Sequence, residues 1–166
     1  MIKGTDGKEA IILELQKHLL PLIGRKLFRI QTAQLTIEDD GWHDWFDLPV
    51  RLFFEEQQTI SIAWSYFDKL FISDDLSIPF EINESEVRWI TNGIQCFSPM
   101  IGQKLKNIQL GEGYMEIDAN PIEIWTRLAL EFDAGWMEIY NGLDENAFAF
   151  HKTPPTGNFE NVNRYS

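Results

Sequence analysis

The eleven residues PLIGRKLFRIQ at 21–31 return as PMIGQKLKNIQ at 99–109. Seven positions are identical without a gap: Pro21/Pro99, Ile23/Ile101, Gly24/Gly102, Lys26/Lys104, Leu27/Leu105, Ile30/Ile108 and Gln31/Gln109. No other feature limits the fold as much, because each unit would hold about 75 residues, too few to bury its own sheet face well. Two units sharing one core are the expected solution. The phrase lacks the reactive polar groups that a duplicated catalytic motif would duplicate, so it specifies architecture. Gly24 and Gly102 are expected where a turn needs a positive φ or the backbone passes close, and Lys26 and Lys104 at an edge or rim.

The pattern around each copy predicts the elements. In residues 6–20 the apolar positions Ile11, Ile12, Leu15 and Leu19 fall on one side of a helix and Glu14, Lys17 and His18 on the other. Asp6 with Glu9 makes a capping box for it, and Pro21 ends it by pushing the preceding residue out of the α region. Asn83 with Glu86 repeats the box and predicts a second helix, stopped early by Asn92-Gly93, with 94–98 as a connector. Strands follow each copy. Val50, Leu52 and Phe54, then Ile60, Ile62 and Trp64, point inward in a half-buried antiparallel pair, and Leu128, Leu130 and Phe132, then Met137 and Ile139, do the same across an Asp133-Ala134-Gly135 turn. The expected fold is α+β, mostly antiparallel β-sheet with an N-terminal amphipathic helix, built from two tandem pseudo-repeats sharing one core. It forms a single domain over 1–166, with repeats at about 6–82 and 83–152 and a weakly ordered tail at 153–166.

Charge and the absence of motifs narrow the function. With Lys+Arg 14 against Asp+Glu 26 the formal net charge is -12, which repels nucleic acid and attracts a basic partner. The opening MIKGTDGKEA has no apolar signal core, and no stretch approaches the roughly 20 apolar residues that span a bilayer, so a membrane partner is not expected. The single Cys96 cannot pair within the chain, which suits a reducing cytosol, and beside Phe97 it reads as a small buried hydrophobe. His18, His43 and His151 lack metal-ligand spacing, GEG at 111–113 lacks the rest of a dinucleotide fingerprint, and neither a P-loop nor a nucleophile elbow is present. No cofactor, metal or catalytic set is therefore expected, and the chain reads as a binding protein rather than an enzyme.

Candidate binding residues concentrate in IEDDGWHDWFDLP, 37–49. Asp39, Asp40, Asp44 and Asp47 interleave there with Trp42, His43, Trp45 and Phe46, pairing rigid aromatic contact area with carboxylates suited to arginine. The opposing reading makes the tryptophans a lid on the sheet and the aspartates solvated turn residues. YNGLDENAF, 140–148, carries Asp144 and Glu145 in a turn, either a capped β-turn or a rim of acceptors beside the first loop.

The stretch LALEFDAGWMEIYNGLDEN in the second half resembles small acidic bacterial immunity proteins of contact-dependent inhibition and other polymorphic toxin systems. That resemblance implies a cytosolic, non-enzymatic inhibitor of one cognate basic protein toxin domain, often a nuclease, and brings no functional residues with it. Asp39, Asp40, Trp42, His43, Asp44, Trp45, Asp47, Asp144 and Glu145 are the expected contact residues on charge and aromatic content alone. Two further readings stand beside it: a small-molecule or interaction module with a groove between the repeats, and a hydrolase with carboxylates near Trp42 and Trp45.

Overall fold

Strand-forming residues dominate the chain after its first turn of helix, and the computed structural model, which describes residues 3–38 and 41–165, resolves them into two antiparallel sheets. Helix α1 (Lys8–Leu19) is followed by a 3-10 turn (Leu20–Leu22), β1 (Leu27–Thr36), β2 (Trp42–Asp44), β3 (Val50–Phe54), β4 (Gln58–Trp64), β5 (Leu70–Ser73) and β6 (Val87–Thr91). A 3-10 turn (Gln95–Met100) leads to β7 (Asn107–Ile117), β8 (Asn120–Phe132), β9 (Gly135–Asn141), β10 (Asn146–His151) and β11 (Phe159–Asn161). The first sheet runs β2-β1-β3-β4-β5 with β6 on the other edge of β1, and the second runs β10-β9-β8-β7-β11. The α+β class with one N-terminal helix is as the sequence predicts. Among the described residues no helix is long and apolar enough to cross a membrane.

One core joins all of this. Ile11, Ile12, Leu15 and Leu19 of α1 pack into the same cluster as Leu52, Ile60 and Trp64 of the first sheet and Leu128, Leu130 and Ile139 of the second. Trp64 crosses between the sheets, its Nε1 donating to the Ile139 carbonyl at 2.9 Å. The two copies of the repeated phrase meet. Gly24 N donates to Leu105 O at 2.8 Å and Gly102 N to Leu27 O at 2.6 Å, while Leu105 N reaches Arg25 O and Leu27 N reaches Gln103 O. Lys26 bridges Lys104 at the centre of this exchange, and both are exposed. Gly24 and Gly102 have φ of 90 and 88, and a Cβ on either would touch nothing within 4 Å, so the turn geometry and not crowding requires glycine.

Several expected details differ. The N-cap of α1 is Gly7, with φ 88 and no side-chain cap, in place of the Asp6/Glu9 box. The reason lies upstream: Thr5 pairs with Leu70 at the edge of β5, and the chain must reverse through a positive φ to enter the helix. The helix expected after Asn83 is strand β6. Asn83 caps only a 3-10 turn at Glu84–Glu86, and VRWIT then pairs with β1 from Gln31↔Thr91 to Leu35↔Val87. Residues from the interval assigned to the second unit thus complete the first sheet. The tail expected to be weakly ordered supplies β11, which pairs with β7, and Val162, which is fully buried.

The sheets are not half-buried either. Their inward positions are those read from the alternation, yet outward-facing Arg51, Phe53, Ala63, Ala129 and Glu138 are also buried. Residues 74–82 cover the outer face of the first sheet, where Arg51 Nη2 bonds Leu76 O. The segment around Thr156 to Phe159 covers part of the second, and Gly111 is needed there because a Cβ would lie 2.3 Å from the Phe159 ring.

Candidate functional site

The residues singled out between 37 and 49 separate onto two faces. Asp39 and Asp40 lie outside the described residues. Trp42 and Asp44 sit on β2, paired with Thr36 and Gln34 of β1, and are exposed. The Arg88 guanidinium stands 4.6 Å above the Trp42 ring and its Nε donates to Gln34 Oε1, while Gln34 Nε2 donates to Asp44 Oδ1 at 3.0 Å. His43, between them, points to the opposite side of the strand and is exposed. Trp45 continues the ladder by donating its N–H to Ala33 O, and its indole Nε1 donates to Asp47 Oδ2 at 3.0 Å. Its ring leans on Phe80, 5.6 Å between centroids.

Asp144, almost a hundred positions away in sequence, comes to the same place. Asn146 N donates to Phe46 O at 3.0 Å, and the buried Asn146 side chain bonds Trp64 N and Ile62 O, which fixes the start of β10 against the first sheet. Phe46 packs edge-on against Phe148 at 5.2 Å. A cleft of about 460 Å³ results, bordered by Trp45, Asp47, Phe71, Phe80 and Asp144. The structure therefore brings Trp45, Asp47 and Asp144 together and leaves Trp42 and Asp44 with Arg88 and Gln34. Glu145 is half-buried beside Asp144.

Across the Asp144 turn lies a surface that the sequence reading missed. Leu143 and Asp144 are the two central residues of the β9–β10 hairpin, with φ of 59 and 70, closed by Gly142 N to Glu145 O at 2.8 Å. Such turns suit Asn-Gly, and a leucine held in the left-handed region costs on the order of 1 kcal/mol. Leu143 is nonetheless 97% exposed, beside Tyr114 at 79%, Tyr66 at 51% and Phe67 at 49%. These four side chains line a depression of about 340 Å³ together with Met115 and Asp144. Asn141 locks it, bonding the carbonyls of Ser65 and Phe67 with its amide and the N–H of Asp144 with its oxygen. The available signal was an apolar Leu143 inside an otherwise polar turn and an aromatic pair, Tyr66-Phe67, inside another.

A third group lies on the outer face of the second sheet. Glu138, 3% exposed, accepts from Arg127 Nε at 2.8 Å and Nη2 at 3.0 Å and pairs with His151 Nε2 at 2.8 Å. Burial alone pushes this carboxyl up, but the hydrogen bonds from Arg127 and His151, with their charges, outweigh it and hold the group below the usual carboxylate range. A carboxylate held charged with both oxygens engaged anchors its neighbours and does not serve as a general acid. Cys96, expected to be buried, is exposed, and Phe97 takes the core position. Partial desolvation pushes its thiol up, away from an activated thiolate. No cluster of His, Cys, Asp and Glu among the described residues could hold a metal ion. No family model matches the chain, and neither a curated protein nor a solved structure matches it.

Proposed function

We propose that this protein is a non-enzymatic binding protein that captures a basic protein surface at the Leu143–Glu145 turn, and more narrowly that it is an immunity protein neutralising a basic, nuclease-type toxin in the cytosol. The observation that carries the reading is the exposure of Leu143 in a disfavoured backbone conformation among Tyr66, Phe67 and Tyr114, with Asp144 alongside. Strain and exposed apolar area together oppose stability and solubility, and both are accounted for if a partner covers them. The formal net charge of -12 would draw a basic partner in at a high rate, and the aromatic side chains would then exclude water and slow its release. The 41–47 segment contributes its edge through Trp45 and Asp47, on the far side of Asp144.

The test is retention of proteins from a source lysate on the immobilised wild type and on L143D and D144K variants, washed with rising salt, followed by titration of the purified pair. The expected result is one stoichiometric basic protein, eluted by salt, whose affinity falls at least about tenfold with either substitution. A partner bound equally by all three proteins and indifferent to salt would overturn the reading.

A further inference from the structure

A further cleft lies apart from the Leu143 surface, on the outer face of the first sheet. It measures about 780 Å³, and its lining includes Arg51, Trp89, Phe80, Ile78, Glu81 and Glu84. Arg51 projects from the centre of β3 and is 8% exposed. Its guanidinium is 3.5 Å from the Trp89 ring and donates through Nη2 to Leu76 O at 3.0 Å, and both of these residues line the cleft. Its Nε is buried with no hydrogen-bond partner, and no carboxylate pairs with it among the described residues. In a chain with 26 acidic side chains, an arginine this buried and without an anion is the exception. Burial pushes it down to about 10, which leaves it charged at neutral pH.

The second sheet shows what is missing. Arg127 has the same kind of surroundings, an aromatic ring (Phe159, 4.6 Å) and a carbonyl from the covering segment (Thr156 O, 2.9 Å), and it also has the Glu138 carboxylate. On β9 Glu138 pairs with Ala129 of β8, and in the corresponding register of the first sheet Ser61 pairs with Arg51. Ser61 Oγ is taken up by the carbonyl of Asp75 at 2.5 Å. In that register Arg51 matches Ala129 and lies two residues beyond the match to Arg127; it has a ring and a carbonyl beside it, and Ser61 stands where the second sheet has the acid.

We infer that this cleft is a binding site for a small monocarboxylate with an apolar body, whose carboxylate accepts hydrogen bonds from the Arg51 guanidinium. The site goes beyond the protein-capture reading; it shares no residue with the depression at Leu143, and it shares Phe80 with the cleft at Trp45 and Asp47. Planar carboxylate matches a guanidinium edge, and Trp89, Phe80 and Ile78 offer the apolar body a wall. Glu81 and Glu84 are exposed at the cleft and would repel a second negative charge, which selects against phosphates and dicarboxylates.

The test is an NMR titration of the ¹⁵N-labelled full chain with 3-phenylpropionate, with 3-phenylpropionamide as the uncharged match. The Trp89 indole and Arg51 Nε–H signals are followed. The expected result is saturable movement of both signals with a Kd of about 1 mM or tighter, little response to the amide, and at least about tenfold weaker binding in R51M. An E81Q/E84Q variant, altered only at exposed side chains, is expected to bind the acid about threefold more tightly because two repelling charges are gone. Equal response to acid and amide, no saturable shift at Trp89, or unchanged affinity in the E81Q/E84Q variant would each overturn the assignment.

Discussion

On the outer face of the first sheet Arg51 stacks on Trp89 and bonds the carbonyl of Leu76; on that of the second, Arg127 stacks on Phe159 and bonds the carbonyl of Thr156. Each is roofed by a segment that leaves the sheet and crosses it. The arginines do not occupy matching positions, since Arg51 pairs with Ser61 where Ala129 pairs with Glu138; Arg127 lies two residues before the match to Arg51, and Ser61 on β4 stands in the place of Glu138 on β9. With the acid, the half-exposed Arg127 becomes part of an Arg127–Glu138–His151 network and also bonds Thr156 O of the cover. Without it, the arginine remains a cost to the fold, and a cleft of about 780 Å³ stays open above it. Both faces carry a cleft, but at the one of about 380 Å³ beside Arg127 the arginine is already held by Glu138, whereas at the one beside Arg51 no carboxylate among the described residues holds it.

The strongest way to break this comparison is to remove the acid where it is present. E138Q replaces a buried carboxylate that accepts from Arg127 and pairs with His151 by a neutral amide, and should destabilise the protein by about 3 kcal/mol, read as a lowered urea midpoint at unchanged slope. The loss should depend on pH with a definite sign. The folded Glu138 carboxyl titrates below its ordinary value of 4.5, so its contribution is fully present above that value and disappears as the pH falls through the lower folded pKa. Wild type and E138Q should therefore converge in stability in strong acid. A difference that persisted undiminished there would show that shape and not charge carries the effect.

Next in size is the cover itself. G111A places a Cβ 2.3 Å from the Phe159 ring, so β11 must shift, at a cost of about 2 kcal/mol. Hydrogen exchange should then rise along β11 and at the Arg127 side chain while the first sheet is unaffected. Exchange rising equally in both sheets would mean that the two faces are not independent. R51M, by contrast, should cost less than about 1 kcal/mol, because methionine fills the space and removes an unpaired buried charge, offsetting the lost bond to Leu76 and the stacking on Trp89. If R51M proved as damaging as E138Q, Arg51 would be a structural arginine and the contrast between the faces would fail.

The inward half of each sheet was legible because period-two alternation is a local signal: Val50, Leu52 and Phe54, and Leu128, Leu130 and Phe132, were read inward and are buried. The helix positions Ile11, Ile12, Leu15 and Leu19 were legible for the same reason at period 3.6. The outer faces were not. Residues 74–82 and 156–159 have no period, so nothing local says that they fold back over Arg51 and Arg127, and an arginine at an outward strand position reads as solvated. Strand β6 was misread because the Asn83/Glu86 spacing fits a helix start, whereas the open edge of β1 that recruits VRWIT is visible only in three dimensions. The candidate surface shows the same division. The content of the 41–47 and 140–148 segments was readable, but the bond from Asn146 N to Phe46 O that joins them is not encoded in either alone.

The smallest predicted effect concerns the hairpin turns that close corresponding ends of the two sheets, Ser65–Lys69 between β4 and β5 and Gly142–Glu145 between β9 and β10. Both hold an apolar residue at positive φ, Phe67 at 56 and Leu143 at 59. Phe67 has a reason within the fold, since its carbonyl accepts from Asn141 and its ring packs on Tyr66. Leu143, almost fully exposed, has none. Asparagine tolerates the left-handed region, so L143N should stabilise the isolated protein by about 0.5 kcal/mol, whereas F67N should destabilise it by a similar or larger amount. Thermal unfolding of the two variants separates the cases. If L143N raises stability and abolishes partner capture together, the leucine is kept at the expense of the fold for what it touches outside the chain. If L143N lowers stability, Leu143 is making a contact within the protein, and the case for a partner-binding anchor at that turn is lost.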